Sequence, residues 1–238
     1  MLVERGLAKD VKHAQALILA GKVFSDEQRV EKPGTRVSID IPIEVRGEDH
    51  PWVSRGGVKL NHALDHFQID IEGVGAIDVG SSTGGFTDVL LSRGVAHVYA
   101  VDVGYGQLHW KLRQDNRVSV LERQNARYLT RDQIQNPVGA VVCDASFTRL
   151  ESVMSVPMEF VASGGYLVAL IKPQFEVEKN EVGRGGIVRD PALHRDVCAR
   201  IENWLTGVRG WTVLGVEESP ITGLGGNTEF FIAARLDD

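Results

Sequence analysis

The sequence has few cysteines and no long apolar run, and each of these absences excludes a class of protein. Cys143 and Cys198 are its two cysteines, which cannot build a disulfide scaffold and favour a reducing, cytoplasmic environment. No apolar run approaches the roughly 18 residues that a transmembrane helix needs, so we expect no stable insertion into a membrane. The charged residues close to the N-terminus argue against a signal peptide.

The sequence also lacks an excess of basic residues and lacks the common zinc motifs. Its formal net charge is −6, so the overall electrostatics do not predict a nucleic-acid partner. Residues 1–60 carry 10 Lys/Arg and 9 Asp/Glu, a net charge of +1, which makes the N-terminal part only weakly basic. The seven histidines are scattered, with no HExxH motif and no Cys/His cluster, so no metal is expected. None of these features indicates an oligomeric state.

Residues 1–45 carry a self-contained pattern that predicts a small α+β domain. The stretch LVERGLAKDVKHAQALILAGKVF is typical of two short helices, with Asp10 as the N-cap of the second and Gly21 as its stop. The stretch RVSIDIPIEV alternates apolar and polar residues, which predicts a half-buried strand. Residues 46–54 are polar and contain glycine, which is typical of a linker to a larger domain over residues 55–238.

Strand-like and helical stretches alternate from residue 74 onward. This alternation predicts an α/β fold built on a parallel sheet with helices on both faces. The predicted strands are GAIDVG, HVYAVDVG, RVSVLE, GAVVCDA, GYLVALIK, WTVLGVEES and EFFIAARL. Ligands of such sheets bind at the carboxyl ends of the strands, so the residues at those ends are the first functional candidates. These residues are Asp78, Asp102, Asp144 and Lys172.

A glycine-bearing turn, AIDVGSSTGGF, connects the first of these strands to a helix. Its spacing, Gly80-x-x-x-Gly84-Gly85, fits neither the dinucleotide fingerprint nor the Walker loop. Asp102 ends the next strand, where a carboxylate can accept hydrogen bonds from both hydroxyls of a ribose. Together these features indicate a nucleoside cofactor without phosphates, and S-adenosylmethionine fits that description. The alternative is an ordinary tight turn followed by an exposed aspartate.

Lys172 directly follows an apolar strand, and an ammonium group at that position has two explanations. Burying an unpaired charge is costly, so the residue either marks the point where the strand meets water or takes part in chemistry there. For an isolated lysine the first explanation is the more common one. Asp144, before Ala-Ser, has a similarly simple alternative as a helix cap.

Seven motifs occur in the order seen in the TlyA, or hemolysin-A-type, RNA methyltransferases. These motifs are VSRGGVKL, DVGSSTGGFTDVLL, VDVGYGQL, LERQNARYL, CDASF, IKPQFE and GNTEFF. The chain resembles that family over nearly its whole length. The resemblance implies an S4-like RNA-binding domain over residues 1–45. It also implies an FtsJ-like methyltransferase domain with a Rossmann-like, doubly wound sheet that is mostly parallel and has an antiparallel terminal strand.

The resemblance also implies an activity and a set of site residues. The implied activity is 2′-O-methylation of ribosomal RNA by S-adenosylmethionine, with cytidine hydroxyls as the target. The family's Lys-Asp-Lys-Glu tetrad matches Lys59, Asp144, Lys172 and Glu229. We expect Lys172 to act as the base or to orient the hydroxyl, with Asp144 nearest the methyl group and Lys59 and Glu229 positioning the ribose and Lys172.

Further residues are candidates for binding the cofactor and the RNA. The QNAR stretch could meet the adenine or be an ordinary loop, Phe86 could contact the cofactor or belong to the core, and the arginines of VGRGGIVRDP could contact phosphates or merely be solvated. The expected cofactor-binding residues are Asp78, Gly80, Ser82, Gly84, Gly85, Phe86, Asp102, Asn125, Ala126 and Asp144. The expected RNA-binding residues are Lys9, Lys12, Lys22, Arg29, Arg55, Arg184 and Arg189.

Three other functions compete with this interpretation. The chain could be an RNA-binding protein that keeps the methyltransferase fold without turnover, although all four tetrad residue types are present. It could be a nucleotide-dependent oxidoreductase, although the glycine spacing speaks against that. It could be a membrane-active hemolysin, although no segment is amphipathic or apolar enough to support a pore.

Overall fold

The computed structural model describes residues 1–5, 7–8, 10–25, 28–35, 37, 41, 43–45 and 50–237. The chain divides into two compact units, residues 1–51 and 52–238. This division falls inside the stretch predicted as a linker, of which residues 46–49 lie outside the described part. The bounds of the two domains therefore stay a prediction.

The first unit combines one helix with a small antiparallel sheet. Helix α1 (Val11–Leu19) begins at Asp10, whose carboxylate accepts a 2.8 Å hydrogen bond from the His13 amide, as expected for an N-cap. Strands β1 (Val23–Ser25), β2 (Gln28–Arg29) and β3 (Ile43–Val45) pair in the order β2-β1-β3. Among the described residues of this unit, Leu2, Ala8, Leu17 and Val23 form a buried apolar cluster.

Part of the predicted N-terminal pattern was wrong. The described residues before Asp10 form turns instead of a first helix, with the Arg5 amide donating to the Met1 carbonyl at 2.9 Å. So short a segment cannot offset the cost of nucleating a helix. The predicted strand is present at Ile43–Val45, while residues 36, 38–40 and 42 lie outside the described part of the chain. The S4-like character of this unit stays a prediction.

The second unit is built on a sheet in the order β6-β5-β4-β7-β8-β10-β9. Strands β4 to β8 pair in parallel, and β10 pairs antiparallel with both β8 and β9. The predicted mostly parallel sheet with an antiparallel terminal strand is confirmed. The strands are β4 (Gly75–Val79), β5 (His97–Asp102), β6 (Val118–Glu122), β7 (Val138–Cys143), β8 (Val161–Ile171), β9 (Trp211–Glu218) and β10 (Phe230–Leu236).

Helices cover both faces of this sheet. Apolar residues of α2 (Gly56–His66), α3 (Gly85–Ser92) and α4 (Trp110–Arg113) pack into the core on one face. Helices α5 (Leu150–Met154) and α7 (Pro191–Thr206) pack on the other, and the short helix α6 (Pro173–Glu176) follows β8. Burying each large apolar side chain of these cores contributes about 1.5–3 kcal/mol. Among the described residues, no helix combines the length and apolarity needed to cross a membrane.

The topology gathers the functional candidates at one edge of the sheet. Parallel strands β4, β5, β7 and β8 all end there, which places Asp78, Asp102, Asp144 and Lys172 on the same edge. Strand β10 runs the opposite way, so its beginning, preceded by Glu229, reaches the edge where β8 ends.

Candidate active site

Lys172 follows β8, and its ammonium group is held against the end of the neighbouring strand β7. Its Nζ lies 2.6 Å from Asp144 Oδ1 and donates to the Asp144 carbonyl at 3.1 Å and to Ser146 Oγ at 2.9 Å. Two of its N–H groups thus have hydrogen-bond acceptors, while Asp144 Oδ1 is a close opposite charge without hydrogen-bond geometry. Lys172 is therefore a buried, partnered cation and not a solvated strand end.

Lys59 and Glu229 form a second and more deeply buried ion pair. Lys59 Nζ on α2 lies 2.5 Å from Glu229 Oε2, and the two side chains are 9% and 3% exposed. Gln174 Nε2 donates to the other Glu229 oxygen at 3.4 Å. Such a pair offsets its desolvation only through close geometry and further hydrogen bonds, which this pair has.

The two pairs are neighbours at the sheet edge. Phe230 pairs with Ile171 in the antiparallel ladder, so Glu229 stands beside Lys172 at the next position. A methyl group built on Gly56 of α2 would lie 3.6 Å from Asp144 Oδ2, so the start of that helix adjoins the first pair. The structure thus brings Lys59, Asp144, Lys172 and Glu229 together, while their catalytic roles stay a prediction.

Asp78, at the end of β4, is a buried carboxylate with spare hydrogen-bonding capacity. Its Oδ2 accepts a 2.6 Å hydrogen bond from the Thr87 hydroxyl, whereas Oδ1 has no hydrogen-bond partner in the described part of the chain. Burial raises the pKa of Asp78 to about 7, the Thr87 hydrogen bond opposes that rise, and the Asp144 charge adds to it. Asp78 therefore offers an unsatisfied acceptor to a bound ligand.

The glycine turn after β4 is shaped by close backbone contacts. Gly80 has φ +79°, and a side chain there would come within 2.9 Å of the Ala145 backbone, next to Asp144. Gly85 begins α3, and a side chain there would come within 2.9 Å of the Gly57 amide of α2. The expected cofactor role of Gly80 thus coexists with a packing role, and helix packing alone accounts for Gly85.

Asp102 and its surroundings form the second part of the expected cofactor site. Its carboxylate accepts hydrogen bonds from the Ser82 amide at 2.8 Å and from the Gly104 amide at 2.6 Å. Each oxygen keeps a second lone pair that a ribose hydroxyl could use. Gly84, with φ +97°, caps α3 two residues after Ser82, where the turn becomes the helix.

The remaining expected cofactor contacts lie in different environments. The Asn125 side chain follows β6 and accepts a 3.0 Å hydrogen bond from the Arg127 amide, so part of its capacity caps a turn. Ala126 is buried. Phe86 is also buried, with its ring centroid 6.3 Å from that of Phe231, which places it in the core. Roles for these three residues at the cofactor stay predictions.

Comparison with known proteins then identifies the second unit. The FtsJ-like methyltransferase family matches residues 52–236, almost all of that unit. This chain belongs to the FtsJ-like methyltransferase family.

Relatives of the FtsJ-like chain confirm the resemblance found in the sequence. It is 48% identical over 236 residues to 16S/23S rRNA (cytidine-2'-O)-methyltransferase TlyA of Mycobacterium tuberculosis, covering 98% of this chain and 87% of that protein. It is 36% identical to Hemolysin A of Brachyspira hyodysenteriae, over 94% of this chain and 93% of that protein. A solved structure of a Streptococcus thermophilus protein named as a hemolysin is 38% identical with a TM-score of 0.78, covering 100% of this chain and 86% of that one.

The basic residues expected to bind RNA fall on both units of the FtsJ-like chain. Lys9 lies outside the described residues, and Lys12 is exposed on α1. A side chain on Gly21 would collide with the Arg29 guanidinium, so Arg29 lies against the turn that carries Lys22. The three arginines of the second unit that were expected to bind RNA, Arg55, Arg184 and Arg189, are all exposed.

The loop that carries Arg184 and Arg189 is tied to the segment that ends in Glu229. Asn227 is buried, and its Oδ1 accepts a 3.0 Å hydrogen bond from the Val188 amide. Its Nδ2 donates to the Gly186 carbonyl, also at 3.0 Å. One buried amide side chain therefore fixes the middle of this loop beside the FtsJ-like site.

Sequence analysis missed several side chains that complete this site. Ser146 and Gln174 contact the two ion pairs, and both lie inside the motifs CDASF and IKPQFE. Phe147 is 89% exposed, has φ +62°, and its ring centroid lies 4.8 Å from that of Phe175. The phenylalanines of the two motifs, Phe147 in CDASF and Phe175 in IKPQFE, are the sequence signal that could have suggested this aromatic contact.

Proposed function

We propose that this chain methylates ribose 2′-hydroxyls of ribosomal RNA in the cytoplasm, with S-adenosylmethionine as the methyl donor. The observation that carries the proposal is the meeting of two lysine–carboxylate pairs at the ligand-binding edge of an FtsJ-like sheet. The name of the mycobacterial relative supports ribosomal cytidine as the target. The exposed basic residues of the first unit support an S4-like, RNA-binding role for it.

The residues at the carboxyl edge fit a methyl donor of this kind. S-adenosylmethionine, when bound, supplies a methyl group carried on a positively charged sulfonium. The unsatisfied Asp78 Oδ1 suits the donor's ammonium group, and the Asp102 carboxylate suits its ribose hydroxyls. Asn125 and Ala126 would lie beside the adenine.

The tetrad then has to align a ribose hydroxyl and relieve it of a proton. Alignment and proton removal each lower the barrier to an in-line displacement. We assign Lys172 one of two roles. As a neutral amine it takes the proton of the hydroxyl, and Asp144 then stabilises the ammonium that forms; as an ammonium held by Asp144 it orients the hydroxyl by donating a hydrogen bond. The Lys59–Glu229 pair fixes the ribose side of the site and stands beside Lys172.

The deciding experiment is transfer of labelled methyl from S-adenosylmethionine to ribosomal subunits that lack the modification. We expect label in the RNA with the native chain and none with Lys172→Ala, although that variant should still bind the donor. Lys172→Arg separates the two roles, because a guanidinium cannot be deprotonated in a protein and can still donate hydrogen bonds. Complete loss of methyl transfer in Lys172→Arg supports Lys172 as the base, and partial transfer supports its role in orienting the hydroxyl.

Lys179→Ala serves as the matched control, because Lys179 is an exposed lysine in the same segment of the chain. Wild-type turnover by Lys172→Ala would overturn the assignment of Lys172. Donor binding without transfer to any ribosomal substrate would favour the RNA-binding protein without turnover.

The other two candidate functions are tested by binding and leakage measurements. We expect S-adenosylmethionine to bind and NAD not to bind, whereas the reverse would favour an oxidoreductase. We expect no dye release from liposomes, and concentration-dependent release would favour the membrane-active hemolysin.

A further inference from the structure

Two histidines of α2 and one glutamate of β9 converge away from the tetrad contacts. His62 Nε2 lies 3.8 Å from Glu217 Oε1, and His66 Nε2 lies 3.8 Å from Glu217 Oε2. One ligand atom from each of the three side chains lies within 4.8 Å of the others. We propose that His62, His66 and Glu217 bind a divalent transition-metal ion of the zinc type.

Helix spacing on α2 and the packing of α2 on β9 bring these three side chains together. Residues four apart on a helix lie on the same face, so His62 and His66 point the same way from α2. Phe67 at the end of α2 packs on Gly215 of β9, where an added side chain would lie 3.4 Å from its ring. Glu217 lies two residues after Gly215, on the same face of that strand.

The chemistry of the three groups suits zinc. Two imidazole nitrogens and one carboxylate oxygen form the kind of ligand set that Zn²⁺ takes in proteins, with a further position left for water. Tetrahedral zinc with bonds near 2.0–2.1 Å places its ligand atoms about 3.3 Å apart, so small rotations of these side chains would close the site. The present separations are too long for direct hydrogen bonds.

An unsatisfied nitrogen points to the same conclusion. His62 Nε2 is buried and has no hydrogen-bond partner in the described part of the chain. Leaving a buried polar atom without a partner costs free energy, and a metal bond would remove that cost. His62 and Glu217 are only partly buried and His66 is exposed, so an ion can reach all three side chains from solvent.

A metal ion at this position would connect α2 to the end of the sheet. Lys59 lies one turn before His62 on α2, and Glu229 precedes β10, the strand that pairs with β9. The ion would therefore brace the two elements that carry the buried ion pair. This inference rests on the geometry of the three ligands and not on the proposed methyl transfer.

The sequence motifs could not reveal this site. HALDH has the four-residue histidine spacing of a zinc helix but lacks the glutamate of HExxH, and the third ligand comes from a distant strand. The expectation that the chain holds no metal rested on motifs alone, and this proposal replaces it.

The test is a Zn²⁺ titration of the full chain, freed of any histidine tag and of bound metal, by calorimetry. We expect one ion per chain and at least about tenfold weaker binding in each of His62→Ala, His66→Ala and Glu217→Gln. Asp65→Asn is the matched control, because it removes an exposed carboxylate from the same helix that pairs with Arg93 instead. The control should bind Zn²⁺ as the native chain does.

Two further measurements guard against misfolded variants and stray binding. Without metal, the variants should melt at the native temperature, and Zn²⁺ should raise Tm for the native chain and the control but not for the variants. Co²⁺ should give the visible spectrum of a tetrahedral nitrogen and oxygen site in the native chain and in the control, but not in the three ligand variants. Absence of Zn²⁺ binding by the native chain, or native affinity in all three variants, would overturn the proposal.

Discussion

The two lysine–carboxylate pairs of the site differ in burial, and the difference divides their expected roles. The Lys59–Glu229 side chains are 9% and 3% exposed, whereas those of Lys172 and Asp144 are 10% and 24% exposed. The Lys172–Asp144 pair is therefore the more open to solvent, and the Lys59–Glu229 pair is enclosed by α2 and the sheet. We infer that chemistry depends on Lys172–Asp144 and that Lys59–Glu229 mainly holds the architecture in place.

The largest effect is expected when the charge of Asp144, in the more open pair, is neutralised. Asp144→Asn keeps the shape of the side chain but removes the charge that holds Lys172. We expect methyl transfer to fall by roughly 10²–10⁴-fold, the range of general acid–base effects, with little change in thermal stability. Single-turnover transfer and thermal melts of the same preparation measure the two quantities.

Glu178→Gln is the matched control for this change, because Glu178 is an exposed carboxylate in an ion pair with Arg149. Exposed pairs contribute little, so this variant should keep native activity and stability. Equal activity of Asp144→Asn and the native chain would contradict the division of roles.

Removing one partner of the buried Lys59–Glu229 pair should instead lower the stability of the fold. Glu229→Ala leaves the Lys59 ammonium buried without its carboxylate, and the free energy of unfolding should fall by roughly 3–5 kcal/mol. Urea denaturation measures this loss. The double variant Lys59→Met/Glu229→Ala removes both charges and should recover much of the stability without recovering methyl transfer. A double variant no more stable than Glu229→Ala would show that the buried charge is not the cause.

The same contrast explains how much of the site could be predicted from the sequence. Asp144 and Lys172 each follow an apolar strand, so local patterns place them at the sheet edge without any knowledge of distant contacts. The Lys59–Glu229 pair joins residues 170 positions apart, because α2 carries Lys59 to the sheet edge to which the antiparallel register of β8 and β10 brings Glu229. No local pattern carries that register, and the pair entered the sequence analysis only through the family resemblance.

Other failures of prediction have the same physical origin. The patterns gave the strands of the large sheet correctly, and β7, β8 and β10 each bury a continuous apolar run. They gave a false first helix in the small unit, where few residues contribute to a core. They could not place Ser146 or Gln174, because a polar side chain shows its partner only once the strands are assembled.

Asp78 differs from the carboxylates of the two ion pairs, because its hydrogen-bond partner is the Thr87 hydroxyl and not a lysine. The pKa of Asp78 is raised to about 7 in the folded chain, from 3.8 in the unfolded chain. The folded state therefore holds this proton more tightly, which stabilises it fully below pH 3.8, and the stabilisation is lost as pH rises through 7. A bound ammonium group favours the ionised form. Affinity for S-adenosylmethionine should therefore rise with pH by up to about tenfold per unit below pH 7 and then level off.

Calorimetric titrations of the donor between about pH 6 and pH 8 test this dependence, with Asp78→Asn expected to bind weakly and without the pH slope. Asp70→Asn is the control, because Asp70 is an exposed aspartate that caps a turn in the same unit. A native chain whose affinity does not change over that range would contradict the role of Asp78.

The smallest effect is expected at the open pair's aromatic neighbour. Phe147 is almost fully exposed after Asp144 and leans on Phe175, so it offers a flat face where a nucleotide base could stack. Base stacking on an aromatic side chain contributes about 1–3 kcal/mol. Phe147→Leu should therefore raise KM for the ribosomal substrate by roughly tenfold, whereas Phe147→Tyr should keep the native KM, and both variants should bind the donor normally.

Equal KM values for the two variants would mean that an aromatic ring is not needed at position 147, and recognition would then rest on the exposed arginines of the 182–190 loop. We expect those arginines to contact phosphates and not bases, so salt should weaken binding of every RNA sequence alike in that case.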